Sequence, residues 1–490
     1  MKHLALILIL SVFVSSYGCS QNSSKKLFDQ YEKYKAKNFT HRRFKHKDIV
    51  HFLQKKENSL NIQTAGYSVE GRSIHKITIG NGPTKVLLWS QMHGNEPTAT
   101  LAILDILNFF TVSDEFDPLR KAIKKNLTLV FIPMLNPDGT EKFKRRNALD
   151  FDLNRDAARV QTPEAFILKN TRDQLAPEWG FNLHDQSRYY SAGHSDKLAT
   201  ITFLAPAYNF EKDINEGRAN AMKLIGLLTS ALEQFIPGQI GKYNDDFEPR
   251  AFGDNIQKWG TNTILIESGG QKGDREKQSI RRLNFVTLMT AFEAIANKSY
   301  KKTNIDKYQQ IPFNRSNAFH DLLIREAFIP NGNEWVKSDI AFRLKEKQNA
   351  PSDRKFWLQA YISDLGDLST FHGYQELQAN GLYCHKGHFA PDLIVNERRF
   401  LQLNINQLWQ NGITDLMVVK SIFKKYKHKQ LPFSLHPIDQ SSDEQILMGK
   451  NPSLLLKNKD RISYVIVNGQ LFETSKKYGS INDFLSKNKQ

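Results

Sequence analysis

Short apolar segments alternate with longer amphipathic segments over the first three hundred residues of the chain. Apolar runs with the length and composition of buried strands occur at residues 85–90, 127–134, 180–184, 200–205 and 263–267. Apolar positions with helical spacing lie between them, at residues 97–110, 163–174, 213–234 and 275–296. Two alternating segments around the turn former Glu70-Gly71 predict a hairpin ahead of the first run. This order predicts an α/β domain over residues 23–300, with a mixed central sheet and helices on both faces.

The pattern changes after a polar, basic segment near residues 298–317, of which residues 301–315 are assigned to a linker. Short alternating segments typical of strands follow, at residues 321–324, 338–344, 356–362, 373–378, 393–395 and 463–467. Residues 316–490 are therefore predicted to form a smaller, β-rich accessory domain.

The first 22 residues have the pattern of an export signal. Lys2 is followed by an apolar run at residues 4–14, which is too short to span a bilayer, and then by small residues that precede Cys19. This resembles a bacterial lipoprotein signal, in which the cysteine is lipidated, although Tyr17 is bulkier than that pattern favours. The prediction is an exported protein of the cell envelope, attached to the membrane by a lipid on Cys19. Ordinary secretion with cleavage nearby is the alternative.

Composition narrows the functional classes. The formal net charge of +17 and the sequence pI of about 9.5 make the surface basic, but lysine and arginine are spread along the chain. Since no nucleic-acid-binding motif occurs, we interpret the charge as a solvated surface and expect no nucleic-acid partner. Two cysteines, Cys19 and Cys384, do not make a disulfide framework. Cys384 lies near His385 and His388, and a buried thiol in a strand is favoured there over a metal site.

Side chains that bind metals follow two of the predicted strands. His93 and Glu96 come three residues apart directly after the first apolar run, and His184 ends the third. A hydrolytic zinc site takes three ligands from histidine and carboxylate and leaves a fourth position for water. Because catalytic residues gather at strand ends, these three side chains can meet at one ion. An H-x-x-E pair alone is weak evidence, so the assignment depends on the motifs that accompany it.

The accompanying motifs are Asn136-Pro137-Asp138-Gly139, Arg145-Arg146-Asn147, Asp152-Leu153-Asn154-Arg155 and Glu267 at the end of the fifth apolar run. In this order and spacing, over about residues 60–295, the chain resembles the zinc carboxypeptidases of the carboxypeptidase A type. The resemblance implies that His93, Glu96 and His184 hold one zinc ion per chain. It also implies that Glu267 is the general base, which takes a proton from the attacking water and passes it to the leaving amine.

Other residues match substrate-binding positions of that family. The resemblance implies that Arg145 stabilises the oxyanion of the tetrahedral intermediate, with Arg146 as the alternative. It implies that Asn154 and Arg155 bind the substrate's terminal carboxylate, for which the planar guanidinium of arginine is suited. Tyr243 is the nearest counterpart of the family's mobile tyrosine.

Several positions depart from the family or are left open. Asn95 stands where pancreatic members carry a second substrate-binding arginine. Asp185 either orients a ligand histidine or is a turn residue. The pocket for the terminal side chain is expected at residues 247–254, where Asp254 favours a basic side chain and Phe252 an apolar one.

The C-terminal domain resembles the small β-sandwich of metal-dependent amidohydrolases, around residues 321–325, 338–341, 381–383 and 465–472. In those enzymes a catalytic barrel is inserted in the sandwich, but residues 398–457 are too few for a barrel. The H-x-H pair that should follow the first half is missing. We interpret the domain as a sandwich without its barrel, or as an unrelated accessory β-domain, and expect all catalytic zinc before the linker.

Together these features predict an exported zinc metallocarboxypeptidase that hydrolyses the C-terminal peptide bond of peptides with a free carboxylate. One alternative is a zinc deacylase of N-acyl amino acids, similar to desuccinylases and aspartoacylase, which share the H-G-N-E and D-L-N-R motifs. A second alternative is an anchored binding protein whose peptidase domain has lost its activity. That alternative predicts a missing ligand or base, and the sequence lacks neither.

Overall fold

The structure analysed is a computed structural model that describes residues 23–350, 354–438, 445–459 and 461–488. The predicted signal segment and Cys19 lie outside these residues. The chain divides into two compact units, the first ending at Asn317 and the second beginning at Ala318. No helix within the described ranges is both long and apolar enough to cross a membrane.

The first unit combines strands and helices in alternation. Its described strands are β1 (Asn61–Tyr67), β2 (Ser73–Ile79), β3 (Thr84–Ser90), β4 (Leu127–Ile132), β5 (Trp179–Asp185), β6 (Ser191–Ala192), β7 (Ile201–Leu204), β8 (Ile240–Lys242), β9 (Asn262–Ser268) and β10 (Asn314–Arg315). Its described helices are α1 (23–30), α2 (His46–Gln54), α3 (Thr98–Phe109), α4 (Asp117–Asn126), α5 (Pro137–Lys142), α6 (Pro163–Leu175), α7 (Glu216–Leu232), α8 (Phe252–Lys258), α9 (Gln278–Ala296) and α10 (Asp306–Gln309).

An eight-stranded mixed sheet forms the centre of this unit, in the order β1-β2-β4-β3-β5-β9-β7-β8. The four middle strands, β4, β3, β5 and β9, run parallel to one another. Their carboxyl ends therefore meet at one edge of the sheet, where ligand sites of such sheets are found. The loop after β3 and the last residues of β5 and β9 bring the residues of interest to this edge.

Hydrophobic residues cover both faces of the sheet. In β3, Val86 and Leu88 join the core cluster that packs under α3, α7 and α9, whereas Leu87 and Trp89 join the cluster that contains residues of α6 and α8. This strand alternates between two buried faces, which is why its sequence is a continuous apolar run. The predicted α/β class, with a mixed sheet and helices on both faces, is confirmed.

The segment assigned to a linker, residues 301–315, lies within the first unit. It contains α10 and β10, and both Tyr308 and Ile311 are buried in the main core cluster. The Ala205 amide donates a hydrogen bond to the Tyr308 hydroxyl (3.2 Å). The lysines of this segment are exposed, and they give it the polar composition of a linker. Its few buried apolar residues were too sparse to indicate that it packs against the core.

The second unit is rich in strands but not purely β. Its described strands are β11 (Phe319–Asn331), β12 (Glu334–Lys347), β13 (Trp357–Gly366), β14 (His372–Gln378), β15 (Tyr383–Lys386), β16 (His388–Phe389), β17 (Ile413–Val418), β18 (Ser434–Pro437), β19 (Leu454–Asn458), β20 (Arg461–Val467) and β21 (Gln470–Glu473). Its described helices are α11 (Glu397–Gln402), α12 (Ile405–Gln410), α13 (Lys420–Tyr426) and α14 (Ile481–Lys487).

One sheet runs β13-β12-β11-β15-β19-β20-β21, with β14 pairing parallel to β11, and a separate parallel sheet runs β16-β17-β18. Cys384 is a buried free thiol on β15, as favoured from the sequence. The strand predicted at residues 393–395 is wrong, because only Ile394 makes an isolated bridge, to Val418. The resemblance to an amidohydrolase sandwich stays a prediction.

Candidate metal centre

The loop after β3 brings His93 and Glu96 to the edge of the sheet. Both side chains are buried, and the Glu96 amide donates to the His93 carbonyl (3.1 Å), which folds the loop into a tight turn. Gly94 between them packs on α5, where an added Cβ would lie 2.1 Å from the carbonyl carbon of Gly139. Only glycine allows this approach, so the H-G-N-E motif has a steric reason as well as a chemical one.

His184 completes a group of three convergent ligands from the end of β5. Its Nδ1 lies 2.7 Å from Glu96 Oε2 and 3.2 Å from His93 Nδ1, and His93 Nδ1 lies 2.9 Å from Glu96 Oε1. All three residues are buried, and their ligand atoms lie within 4.8 Å of one another. Two imidazole nitrogens and a carboxylate are a donor set suited to zinc. The structure thus brings together the three residues that the sequence predicted.

Asp152 fixes the orientation of His93. Its Oδ1 lies 3.0 Å from His93 Nε2, so the histidine proton is held on Nε2 and the Nδ1 lone pair faces the ligand group. Asp152 Oδ2 accepts a hydrogen bond from Arg145 Nε (3.0 Å). Burial opposes the charge of Asp152, but His93 and Arg145 lower its pKa below the ordinary value. Asp152 stands in the D-L-N-R motif, but its sequence position alone did not indicate this role.

Glu96 is held in its charged form by the same histidines. Burial alone would raise the pKa of Glu96, but the charges and hydrogen bonds of His93 and His184 lower it below its ordinary value. A buried carboxylate with its charge retained is what a cation site requires. The residues present therefore fit a divalent metal.

Glu267 stands beside His184 on the neighbouring strand, and the two residues are register partners of β5 and β9. Its Oε2 is buried and has no hydrogen-bond partner among the described residues. Burial raises the pKa of Glu267 well above its ordinary value, and the nearby charges of Glu96 and Asp185 raise it further. A cation between the three ligands would act in the opposite direction.

Asp185 does not contact a ligand histidine ring in a described hydrogen bond, but takes part in a buried network behind the ligands. Its Oδ2 accepts hydrogen bonds from Thr98 Oγ1 (2.6 Å) and from Lys277 Nζ (3.1 Å), and its amide donates to Glu96 Oε2 (3.2 Å). Lys277 also donates to the Ser268 carbonyl (2.7 Å), directly after Glu267. No spacing in the sequence pointed to Lys277, which lies at the start of α9.

Arg145 and Arg146 face different directions. Arg145 Nη1 lies 3.1 Å from His93 Nδ1 and 3.2 Å from Glu96 Oε1, and the side chain is 44% exposed. Arg146 instead donates to the Asp150 carbonyl (2.7 Å). Of the two alternatives, Arg145 is therefore the one whose guanidinium reaches the ligand group.

Asn154 and Arg155 lie on the turn that follows Asp152. Asn154 Oδ1 accepts a hydrogen bond from the Phe252 amide (3.0 Å), which joins the turn to α8. Arg155 is 40% exposed, and its Nε lies 3.3 Å from Glu248 Oε2. The predicted side-chain pocket, residues 247–254, thus adjoins Arg155.

Phe252 and Asp254 are the two residues of that pocket that favoured different terminal side chains. Phe252 is fully buried within the core cluster under α6. Asp254 Oδ1 accepts a hydrogen bond from the Glu248 amide (3.0 Å), and burial raises the pKa of Asp254 to about 6. The choice between a basic and an apolar terminal side chain stays open.

Tyr243 comes directly after β8 and lies close to Glu267. Its ring packs on Tyr190, with centroids 5.9 Å apart. Burial raises the pKa of Tyr243 well above its ordinary value, and the charge of Glu267 adds to this. Tyr243 is half-buried.

Comparison with protein families agrees with this centre. The family model described as zinc carboxypeptidase matches residues 46–190, a stretch that contains His93, Glu96 and His184 and ends before Glu267. The matched residues are similar to a zinc carboxypeptidase domain. The family depends on zinc, and the His-Glu-His group supplies a ligand set for it.

Curated relatives match only part of this chain. Carboxypeptidase SOL1 of Arabidopsis thaliana is 29% identical over 211 residues, which cover 36% of this chain and 43% of that protein. Carboxypeptidase D of Mus musculus is 28% identical over 113 residues, which cover 21% of this chain and 8% of that protein. The chain thus spans less than half the length of these two relatives.

Among solved structures, a metallo-carboxypeptidase from Burkholderia cenocepacia is similar with a TM-score of 0.42 and 16% sequence identity. The similarity covers 51% of this chain and 68% of that chain.

Proposed function

We propose that this protein is a zinc metallocarboxypeptidase that removes the C-terminal residue from peptides with a free carboxylate. The observation that carries the proposal is the buried group of His93, Glu96 and His184 with the unpartnered Oε2 of Glu267 on the adjacent strand. The zinc carboxypeptidase domain supports the same conclusion.

Zinc would be held by His93, Glu96 and His184, one ion per chain, and would supply Lewis-acid chemistry to the substrate carbonyl. Glu267 accepts a proton from the attacking water and delivers it to the leaving amine. Its unpartnered oxygen and its burial support this role, because a general base must be free of competing hydrogen bonds and held in a site where its pKa can be adjusted.

Arg145 stabilises the oxygen that becomes negatively charged when the peptide carbonyl is attacked. Its position against the ligand atoms, fixed by Asp152, supports this role. Arg155, with Asn154 beside it, binds the substrate's terminal carboxylate, since half-exposed arginine offers two parallel hydrogen bonds to a carboxylate. Tyr243 contacts the substrate, and its nearness to Glu267 supports this role.

Export and anchoring complete the proposal. The apolar run and Cys19 support a lipoprotein of the cell envelope, with the membrane as partner through a lipid anchor and peptides as substrates. Mass spectrometry of the mature N-terminus tests this part. A mature chain that begins elsewhere, or an unmodified Cys19, would refute the anchor without touching the catalytic proposal.

Peptides with free and amidated C-termini test the reaction. The zinc-loaded protein should release single C-terminal residues from a mixed library of free peptides and should stop when a chelator is added. Amidation removes the charged partner of Arg155, a loss of about 1.5–3 kcal/mol, or roughly ten- to 150-fold in kcat/KM.

Each alternative gives a different result in the same assay. Equal rates on free and amidated peptides would contradict exopeptidase action. Hydrolysis of N-acyl amino acids without hydrolysis of peptides would indicate the deacylase. No zinc-dependent turnover of either class would indicate an inactive binding protein.

A further inference from the structure

A cavity of about 760 Å³ lies within the second unit; we name it the second-unit cavity. Its walls are the start of β13, the end of α13, β18 and the turn that follows β20. Small-molecule sites in proteins commonly have volumes of about 300–1,000 Å³. The second-unit cavity is therefore large enough for a small organic molecule.

Positive charge predominates among the side chains that line the second-unit cavity. Lys386, Lys427 and Lys429 contribute ammonium groups. Asp415 is the one carboxylate among the described lining residues, and its Oδ1 lies 2.7 Å from His436 Nε2. Because this carboxylate is engaged by the histidine, the remaining charges favour a ligand that is itself an anion.

The pair of Asp415 and His436 is fixed from behind. Asp415 is buried, and its Oδ2 accepts a hydrogen bond from Thr414 Oγ1 (2.6 Å). Since a charged carboxylate only accepts hydrogen bonds, the contact with Asp415 holds a proton of His436 on Nε2 and fixes the ring at the cavity wall. In the same wall, the hydroxyl of Ser434 lies 3.0 Å from that of Ser453.

Aromatic side chains line the same cavity. The ring of Trp357 packs on His428, with centroids 3.9 Å apart. Lys427 Nζ lies 6.0 Å from the centroid of the Trp357 ring and 5.8 Å from that of the Phe423 ring. Phe433 is a further lining side chain. Positive charge and aromatic surface thus lie side by side, which suits an anion with an apolar or aromatic body.

Asn468 ties together two parts of the cavity wall. Its Oδ1 accepts hydrogen bonds from the Ala360 amide (2.7 Å) and from Asn451 Nδ2 (3.1 Å), and its Nδ2 donates to the Leu358 carbonyl (2.9 Å). The turn after β20 is thereby attached to β13. A wall that is already fixed needs little ordering when a ligand binds, which favours affinity.

We propose that the second unit binds a small organic anion in the second-unit cavity. Its carboxylate or phosphate group contacts the lysines and His436, and its apolar or aromatic body packs against Trp357 and Phe423. The proposal is independent of the carboxypeptidase function proposed above, since all the residues that carry it belong to the second unit.

Isothermal titration calorimetry on the full chain tests the proposal with matched pairs of probes. Adenosine monophosphate carries a phosphate on an aromatic body and phenylacetate carries a carboxylate, whereas adenosine and phenylacetamide are their uncharged counterparts. At least one of the two anions should bind at a single saturable site. Its uncharged counterpart should bind roughly tenfold more weakly or worse, because it lacks the charged hydrogen-bonding group. The anion that binds distinguishes a phosphate-bearing ligand from a carboxylate-bearing one.

Removing positive charge from the cavity should weaken the binding of that anion. The double variant Lys427→Met/Lys429→Met should raise Kd by roughly three- to thirtyfold, because two exposed charge contacts of modest strength are lost. The matched control Lys420→Met/Lys424→Met removes two exposed lysines of α13 that do not line the cavity, and it should keep the wild-type Kd. His436→Gln should also raise Kd, because it removes the ring that Asp415 orients.

Failure of both anions to bind, or equal binding by the uncharged counterparts, would overturn the proposal. An anion that binds elsewhere, for example at Arg155, would give the same Kd for the two double variants, and that outcome would overturn it as well. The four lysines are exposed, so their removal should leave the fold intact, which circular dichroism checks. The lysine variants therefore decide the proposal even if His436→Gln does not fold.

Discussion

The residues behind the ligands carry much of the charge balance of the site. The carboxylates of Glu96 and Asp185 are buried, and the buried Oε2 of Glu267 lies close to them. The side chain of Lys277 lies among these groups. Its ammonium contacts Asp185 directly and is also bonded to the carbonyl that follows Glu267. Lys277 belongs to none of the sequence motifs, yet its positive charge compensates the negative charges of these carboxylates.

The substitution Lys277→Met tests whether Lys277 compensates the buried charge of Asp185. Removing the cation leaves Asp185 without its charged partner in a buried setting, so the free energy of unfolding should fall by about 3–5 kcal/mol. Urea unfolding of the metal-free protein at pH 7 measures it. Lys272→Met, which removes an exposed lysine from the same loop, should change stability by less than about 0.5 kcal/mol. Equal midpoints for the two variants would contradict the role of Lys277.

The candidate ligands could be predicted from the sequence because they are tied to strand ends. His93, Glu96, His184 and Glu267 each follow or end an apolar run, and parallel strands bring such ends to one edge. The contacts of Lys277 depend on its position in the fold, which no motif spacing in the sequence indicates. Arg145 was separated from Arg146 only by the direction of its side chain.

At the scale of elements, the first unit was predictable because its strands are buried on both faces and its helices are long. β3, β5 and β9 read as unbroken apolar runs, and α7 and α9 cover 17 and 19 residues. In the second unit the parallel strands β16 to β18 and helices α11 to α14 have at most seven residues each. Segments that short contain too few positions to show a period, and they were missed.

One strand of the second unit carries a buried histidine whose ionisation should affect stability. His320 on β11 has one ring nitrogen, Nδ1, 2.8 Å from Ser363 Oγ, and its Nε2 is buried with no hydrogen-bond partner in the described part of the chain. Burial, with the charges of Arg343 and Arg325, lowers the pKa of His320 to about 4. The folded unit therefore holds this ring neutral.

Stability of the second unit should consequently fall in acid. Between the unfolded pKa of about 6.5 and the folded value of about 4, the unfolded chain binds a proton that the folded chain does not. The free energy of unfolding should decrease by about 1–3 kcal/mol from pH 7 to pH 4 on account of this group, and should not depend on it above pH 7.5.

The labelling of Cys384 by a pyridyl disulfide, followed by mass spectrometry across a urea series, reports unfolding of this unit alone, since that thiol is buried on β15. His320→Gln should show a smaller loss between pH 7 and pH 4 than the wild type. His388→Gln, which removes an exposed histidine, should keep the wild-type dependence. Identical slopes for His320→Gln and the wild type would rule out this histidine as the cause.

At the scale of the whole molecule, the candidate chemistry lies in the first of two compact units. The His-Glu-His group and Glu267 all precede Asn317, and within the described ranges no second group of three such ligands occurs. The expectation that all catalytic zinc resides before the linker stays a prediction.

The central claim is that His93, Glu96 and His184 hold zinc, whereas Glu267 performs the proton transfers. The most direct test is to measure zinc content and peptide turnover together for Glu267→Gln, with His93→Ala beside it. Glutamine keeps the shape of Glu267 but cannot accept the proton, so turnover should fall by about 10² to 10⁴ while zinc stays near the wild-type content. His93→Ala should lose zinc and activity together. Near-normal turnover by Glu267→Gln, or loss of its zinc to the extent seen in His93→Ala, would contradict the account.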